Sequence, residues 1–417
     1  MKDWKKVKIS DLGNVITGNT PPRMNPEFYG NHTIFIKPTD IQEDVRYTRN
    51  PEECYSDMGY KKYIKSLIPK GSTCVVTIGS IGKKITQAHC DCFVNQAINA
   101  IVPNDFYDND FIFYLLKNNL NQVKGLDSGT ASGRENVSKS TFSSIEMFVP
   151  ESIETQQKIA SILSAYDDLI ENNLRRIKLL EEMAAITYKE WFINNSLSNR
   201  VINEKEIEFQ AIENILDFSM NGGWGKDESE GNDIIPAYVV RGTDIPNVLK
   251  GNFTNLPLRF HSVKNIETRE LKYGDVIIEI SNGNINSIGR SLFCDKDFLK
   301  MFNHKVICAS FCKMLRAKDN LKSILLDAHI KYLHKTDKMS VYKSQGANGI
   351  NNFRSDEMIK KENIPFPINR DDLKLLANGL EIFNTLNSNL RYQNRLLKES
   401  RDILLPRLMS GAVNLTQ

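Results

Sequence analysis

Few residue clusters in this chain have the types that chemistry needs, and each lacks a part. Asn19-Thr-Pro-Pro-Arg23 approaches the Asn-Pro-Pro-aromatic loop with which adenine methyltransferases grip a flipped base, but Thr20 separates the asparagine from the prolines and Arg23 stands where the stacking ring belongs. No glycine-rich strand-to-helix turn with a downstream acid offers S-adenosylmethionine a place, so a plain turn is expected. Gly79-Ser-Ile-Gly-Lys-Lys84 has the glycines and lysine of a phosphate loop, yet Lys84 stands where a serine or threonine would ligate magnesium, and the first glycine is too close. His89-Cys-Asp-Cys92 has metal-binding types, but ligands on adjacent positions of a strand do not converge on one ion, and no second pair completes a tetrahedron. Asp275-Val-Ile-Ile-Glu279 lacks the lysine that follows in a common nuclease metal site, and reads as a buried strand. Cys308 and Cys312 read as core residues. The expectation is a chain with no catalytic residue, no metal and no cofactor of its own.

What the chain does offer is polar loops, and they come twice. Ile36-Lys-Pro-Thr-Asp-Ile41 returns as Val240-Arg-Gly-Thr-Asp-Ile245, and Ser80-Ile-Gly-Lys83 as Ser287-Ile-Gly-Arg290, each of the latter after an apolar run preceded by Lys-Gly or Tyr-Gly. Ser128-Gly-Thr-Ala-Ser-Gly-Arg-Glu-Asn136, running on to Phe148-Val-Pro150, is answered by Ser344-Gln-Gly-Ala-Asn-Gly-Ile-Asn-Asn352, running to Pro365-Phe-Pro367. Such loops suit DNA, whose base edges are read by Arg, Lys, Asn, Gln and Ser while Lys, Arg and backbone amides hold phosphates. The candidate contacts in the first half are Lys37, Thr39, Lys83, Lys84, Ser132, Arg134 and Asn136. Those in the second half are Arg241, Thr243, Asn282, Asn284, Arg290, Gln345, Asn348, Asn351 and Arg354. Asp40 and Asp244, after Thr in each copy, read as turn or helix caps, a role that competes with DNA contact for their neighbours too.

The elements that must position these loops follow each proline. A helical pattern runs from Ile153 to about Phe192, and another from Asp371 to about Met409, each on the order of 60 Å long at about 1.5 Å per residue. Both carry a seven-residue apolar repeat, the spacing that keeps one stripe on a partner helix. The first stripe is Leu163, Ile170, Ile177, Ala184 and Trp191, flanked by Asn173; the second is Leu376, Phe383, Leu390, Leu397 and Leu404, flanked by Asn387. The two asparagines either set helix register or face water, and both readings stand on the sequence. The expected fold is α+β: two globular mixed α/β domains separated by two long helices that form an antiparallel coiled coil, with a pseudo-two-fold internal repeat. The expected boundaries are a first domain at 1–150, a helix at 151–197, a second domain at 198–367 and a second helix at 368–417. Two equivalent domains related by a two-fold axis would suit a duplex whose half-sites lie about one turn, roughly 34 Å, apart.

Bulk properties narrow the classes further. The 417 residues include 54 Lys+Arg against 51 Asp+Glu, a net charge of +3, so any grip on nucleic acid is local or shared with partners. Seven cysteines, an odd number without framework spacing, suit reduced thiols in a cytoplasm. Met1-Lys-Asp-Trp-Lys-Lys-Val-Lys has no apolar run after its charges, and no stretch approaches bilayer-spanning length, so a soluble, cytoplasmic protein is expected.

With these phrases in view, a resemblance emerges. Trp4-Lys-Lys-Val-Lys-Ile-Ser-Asp-Leu-Gly13 resembles the start of a target recognition domain in the specificity subunits of type I restriction-modification systems. Glu154-Thr-Gln-Gln-Lys-Ile-Ala-Ser-Ile-Leu163, Asp167-Asp-Leu-Ile-Glu-Asn172, Leu179-Leu-Glu181 and Trp191-Phe192 look like that family's central spacer, and Leu404-Leu-Pro-Arg-Leu-Met-Ser-Gly411 like its distal counterpart. The second half lacks the Trp-Lys-Lys opening, and its Asn221-Gly-Gly-Trp-Gly225 loop has little direct match in the first. The resemblance implies a non-catalytic adaptor: two domains each reading half of a gapped target on double-stranded DNA, and helices that set the gap and bind two modification subunits. S-adenosylmethionine would then sit on the modification subunits, and ATP with magnesium on restriction subunits that translocate and cut. The competing reading is a stand-alone sequence-specific DNA-binding protein of the same architecture. Lengthening the first helix by one heptad should change the gap and leave both half-sites intact.

Overall fold

A computed structural model of the chain describes residues 3–127, 135–193, 196–197, 200–201, 206–346 and 349–413. It divides into two compact units, one of Met1–Glu171 with Leu397–Gln417 and the other of Asn172–Leu396.

The repeated phrases correspond to repeated topology. In the first unit Trp4–Lys8 pairs antiparallel with Glu146–Pro150, and in the second Ile207–Ala211 pairs antiparallel with Asn363–Pro367. Each unit then has a four-stranded antiparallel sheet of the same order. It runs Gly13–Thr17, Ile98–Pro103, Thr73–Val76, Ile85–Gln87 in the first and Leu216–Asn221, Cys312–Ala317, Val276–Glu279, Ser291–Phe293 in the second. The central strands are covered on both faces: Thr73-Cys-Val-Val76 and Val276-Ile-Ile-Glu279 are buried at every position, and all but Thr73 and Glu279 are apolar. A smaller sheet places Thr33–Ile36 between Glu53–Tyr55 (antiparallel) and Phe93–Val94 (parallel); Ile235–Val240 lies likewise between Leu258–His261 and Lys305–Cys308.

Local chemistry repeats as well. Ser56 and Ser262 each accept the backbone N–H three residues on, from Gly59 at 3.1 Å and Asn265 at 3.4 Å, and so start the helices Asp57–Tyr63 and Val263–Arg269. Gly82 and Gly289 close their hairpin loops at φ +75° and +87°, a region that favours glycine, which is why the Ser-Ile-Gly phrase recurs.

The first long helix is Ile153–Phe192 and the second Arg370–Met409. They pack antiparallel within each unit. In the first, Ile159 and Leu163 share a core with Leu405, Leu408 and Met409, and Arg401 Nη1 donates to Asp167 Oδ1 at 2.5 Å. In the second, Trp191 shares a core with Leu376 and Leu380, and Asn173 Nδ2 donates to Gln393 Oε1 at 3.4 Å. Leu163, Ile170, Ile177, Trp191, Leu376 and Leu390 are buried, whereas Phe383, Leu397 and Leu404 are half-buried. Asn173 and Asn387 are buried too, so neither faces water. Among the described residues no helix is long and apolar enough to cross a membrane, and no group of three or more His, Cys, Asp or Glu side chains is placed to hold a metal.

Candidate nucleic-acid interface

In the first unit, three loops meet where the smaller sheet ends. The strand Thr33–Ile36 runs into a turn closed by Asp40, whose Oδ2 accepts from Lys37 N at 2.7 Å while Oδ1 accepts from Glu52 N at 3.3 Å. The hairpin between Thr73–Val76 and Ile85–Gln87 lies beside this turn, because Lys84 Nζ donates to Pro38 O at 2.6 Å. The segment ending the third phrase lies against the hairpin base: Gly79 N donates to Glu135 O at 3.0 Å and Val137 N to Thr77 O at 2.9 Å. The structure thus gathers Lys37, Thr39, Lys83, Lys84 and Asn136, with Thr39 and Lys83 exposed. Ser132 and Arg134 lie outside the described residues. Lys37 has an acidic partner: Glu52 Oε2 lies 2.8 Å from its ammonium, and that hydrogen bond raises its pKa.

The second unit repeats the arrangement with tighter internal ties. Asp244 accepts from Arg241 N at 2.9 Å, and its carboxylate also holds the Arg241 guanidinium by two bonds of 2.8 Å. Glu279 is buried and takes Arg290 (Nε at 3.0 Å, Nη2 at 2.8 Å) on one oxygen and Asn282 Nδ2 at 2.6 Å on the other. Gly242 is required beside it, since a Cβ there would stand 2.2 Å from Glu279 Oε1. Asn351, also buried, donates to Gly283 O at 2.9 Å, and Gln345 and Asn351 pair across neighbouring strands. Asn284 is exposed and caps the turn Ile285–Ser287. Arg354 Nη1 pairs with Glu357 at 2.7 Å. Asn348 lies outside the described residues.

These positions do not all share one surface. Arg241, Thr243 and Asn282 line a cleft of about 570 Å³ together with Trp224, Phe311 and Ile350. Arg290 instead lines a cavity of about 490 Å³ with Lys178, Asp327 and Leu380. Sequence reasoning missed the three apolar side chains of the cleft, which are exposed by 40%, 62% and 46% in an otherwise polar setting. The one available signal was Trp224 inside its glycine-rich loop; the Arg259 guanidinium lies 4.6 Å from that ring. Also missed was a polar cleft of about 500 Å³ in the first unit, lined by Lys62, Lys65 and Lys139.

Residues 1–182 match the family model of the Type I restriction modification DNA specificity domain. The type I restriction enzyme MjaIX specificity subunit of Methanocaldococcus jannaschii is 31% identical over 194 residues, 46% of this chain and 44% of that one. The HindI specificity subunit of Haemophilus influenzae is 33% identical over 184 residues, 43% and 39% of the two chains. The matched segments therefore span less than half the length of these relatives. The crystal structure of a type I restriction-modification S subunit from M. genitalium aligns with a TM-score of 0.56 at 17% identity, covering 97% of this chain and 96% of that one, which is a likeness of fold. The chain resembles type I specificity subunits, in sequence over part of its length and in fold over nearly all of it.

Proposed function

We propose that this chain is the DNA-recognition subunit of a type I restriction-modification complex in the cytoplasm, reading a two-part target and performing no chemistry itself. The observation that supports this most directly is the duplicated plan: two domains with the same strand order, each carrying the same three loops, rich in residue types that read base edges. Each domain would read one half-site. The paired helices would set the unread gap and dock two modification subunits, which would bind S-adenosylmethionine and methylate adenine in each half; restriction subunits would bring ATP and magnesium. Base readout in the second domain falls first to exposed Thr243 and Asn284, since carboxylates already hold Arg241 and Arg290. A net charge of +3 supplies little sequence-independent attraction, so the complex rather than this chain alone would provide most of the affinity.

The test is single-molecule mapping of methylated adenines in cells with and without the gene, with the modification subunits present. Loss of one split, gapped motif is the expected result. Unchanged methylation, together with tight sequence-specific binding by the isolated chain, would favour the stand-alone DNA-binding protein instead.

A further inference from the structure

The cleft missed by sequence reasoning in the first unit is built for anions. Asn14, Thr17 and Asn19 form one side, and Lys62, Lys65 and Lys139 bring three exposed ammonium groups; among the described residues no carboxylate lines it. Lys65 and Lys139 have no acidic partner among the described residues, and the Lys62 ammonium lies 4.8 Å from the Phe28 ring centroid. The polar side is held in place: Thr17 Oγ1 donates to Asn99 Oδ1 at 2.6 Å and Asn19 Nδ2 donates to Ser66 Oγ at 2.8 Å. Lys139 lies two residues beyond Val137, whose N donates to Thr77 O at 2.9 Å, and Thr17 of the cleft reaches the same Thr77 through Asn99, whose Nδ2 donates to Thr77 Oγ1 at 2.9 Å, so the cleft adjoins the base of the hairpin.

The repeat supplies an internal control. Gly18 N to Ile98 O (3.0 Å) corresponds to Gly222 N to Cys312 O (3.0 Å), and Val137 N to Thr77 O (2.9 Å) to Phe353 N to Ile280 O (2.8 Å). At the matching strand end of the second unit lies a cleft of about 440 Å³ lined by Asn221, Lys313, Arg354, Asp356 and Glu357 among others, without the helix Val263–Arg269. There the cations are spent on carboxylates, Lys313 on Asp356 and Arg354 on Glu357.

We propose that the Lys62–Lys65–Lys139 cleft holds the phosphate backbone of duplex DNA beside the half-site read by the first domain, and that the carboxylate-paired cleft of the second domain does not. The inference rests on the DNA-recognition reading above. Each phosphate held by a lysine contributes about 0.9 to the slope of log affinity against log salt, and does so for any sequence.

The test uses the full chain assembled with its modification subunits, with affinities measured by fluorescence anisotropy between 50 and 200 mM salt. The probes are a duplex carrying the mapped methylation motif and an unrelated duplex. K62Q/K65Q/K139Q should lower the salt slope by about 2 to 3, weaken both duplexes by the same factor and leave the methylated motif unchanged. R354Q in the second domain should move the slope by well under about 1. Because all three lysines are exposed, the variant should melt as the parent does; each single K→Q exchange, worth about one unit of slope, gives the same answer should the triple variant not assemble. An unchanged slope, or an altered half-site, would overturn the proposal. Failure of the unaltered complex to distinguish the two duplexes would instead overturn the recognition reading, so the two failures are separable.

Discussion

His329 is buried on the helix Asn320–Lys335, where its Nδ1 shares a 2.6 Å hydrogen bond with the Tyr188 hydroxyl and its Nε2 has no partner among the described residues. Burial first, then the nearby Lys338, pushes its pKa down from 6.5 to about 4. The unfolded chain takes up a proton near the ordinary value while the folded chain does not until about 4, so stability is full above that ordinary value and falls as pH drops through the window. The loss is up to about 3 kcal/mol. Urea unfolding at neutral and mildly acidic pH should show this loss in the parent and little of it in His329→Gln; equal losses in both would remove His329 as the cause. This histidine illustrates what single residues conceal in a sequence. Type is visible, but partners are not: Arg241 and Arg290 read as free loop cations until Asp244 and Glu279 are placed against them. Lys62 and Lys65 shared no signal with Lys139, because they reach one cleft from two separate stretches of chain.

Turns and helices were far more legible than partners. The Thr-Asp-Ile and Ser-Ile-Gly phrases mark local constraints, a carboxylate closing a turn and a glycine at positive φ, and local constraints leave a mark on local sequence. The heptads likewise foretold two helices, found at Ile153–Phe192 and Arg370–Met409. The parallel pairing of Ile36 with Val94, or Val240 with Cys308, had no such mark, since it joins segments far apart in the chain. The helix pairing also changes the design of a spacer experiment. Asp167–Arg401 ties the two helices in the first unit and Asn173–Gln393 ties them in the second, so a heptad added to the first helix alone would break one set of contacts. Removing Asp167 leaves the buried Arg401 guanidinium with Asp402 and Asp44 but strips the Tyr114 hydroxyl of its acceptor, at a cost of about 1–3 kcal/mol. Seven residues inserted after Glu171, with seven more inserted after Leu396, preserve both sets. The expected result is a gap longer by about three base pairs, from about 10 Å of added helix, with both half-sites unchanged in a methylation map. A changed half-site would place base readout on the helices.

The compact units do not end where the helices end. Each takes part of both, with boundaries at Glu171/Asn172 and Leu396/Leu397, and this division had no counterpart in composition or turn signals. It governs how recognition domains are exchanged. Replacing residues 1–150 with another recognition domain should alter one half-site and leave the other, provided the incoming domain keeps apolar residues at Trp4 and Val7, which pack against the core containing Leu405, Leu408 and Met409. Methylation mapping reads the outcome, and a change in both half-sites would show that the domains do not act independently. The same core sets a timetable for the newborn chain. Ile159, Ala160 and Leu163 share it with Phe111–Leu116, made earlier, and with Leu405, Leu408 and Met409, and the whole of 172–396 must be synthesised before the last of these partners exists. At about 5–20 residues per second, the part of that core supplied by 405–409 is missing for on the order of ten to forty-five seconds after the first helix emerges. The first unit is therefore closed only after the second has been made, and its core stays incomplete in the meantime.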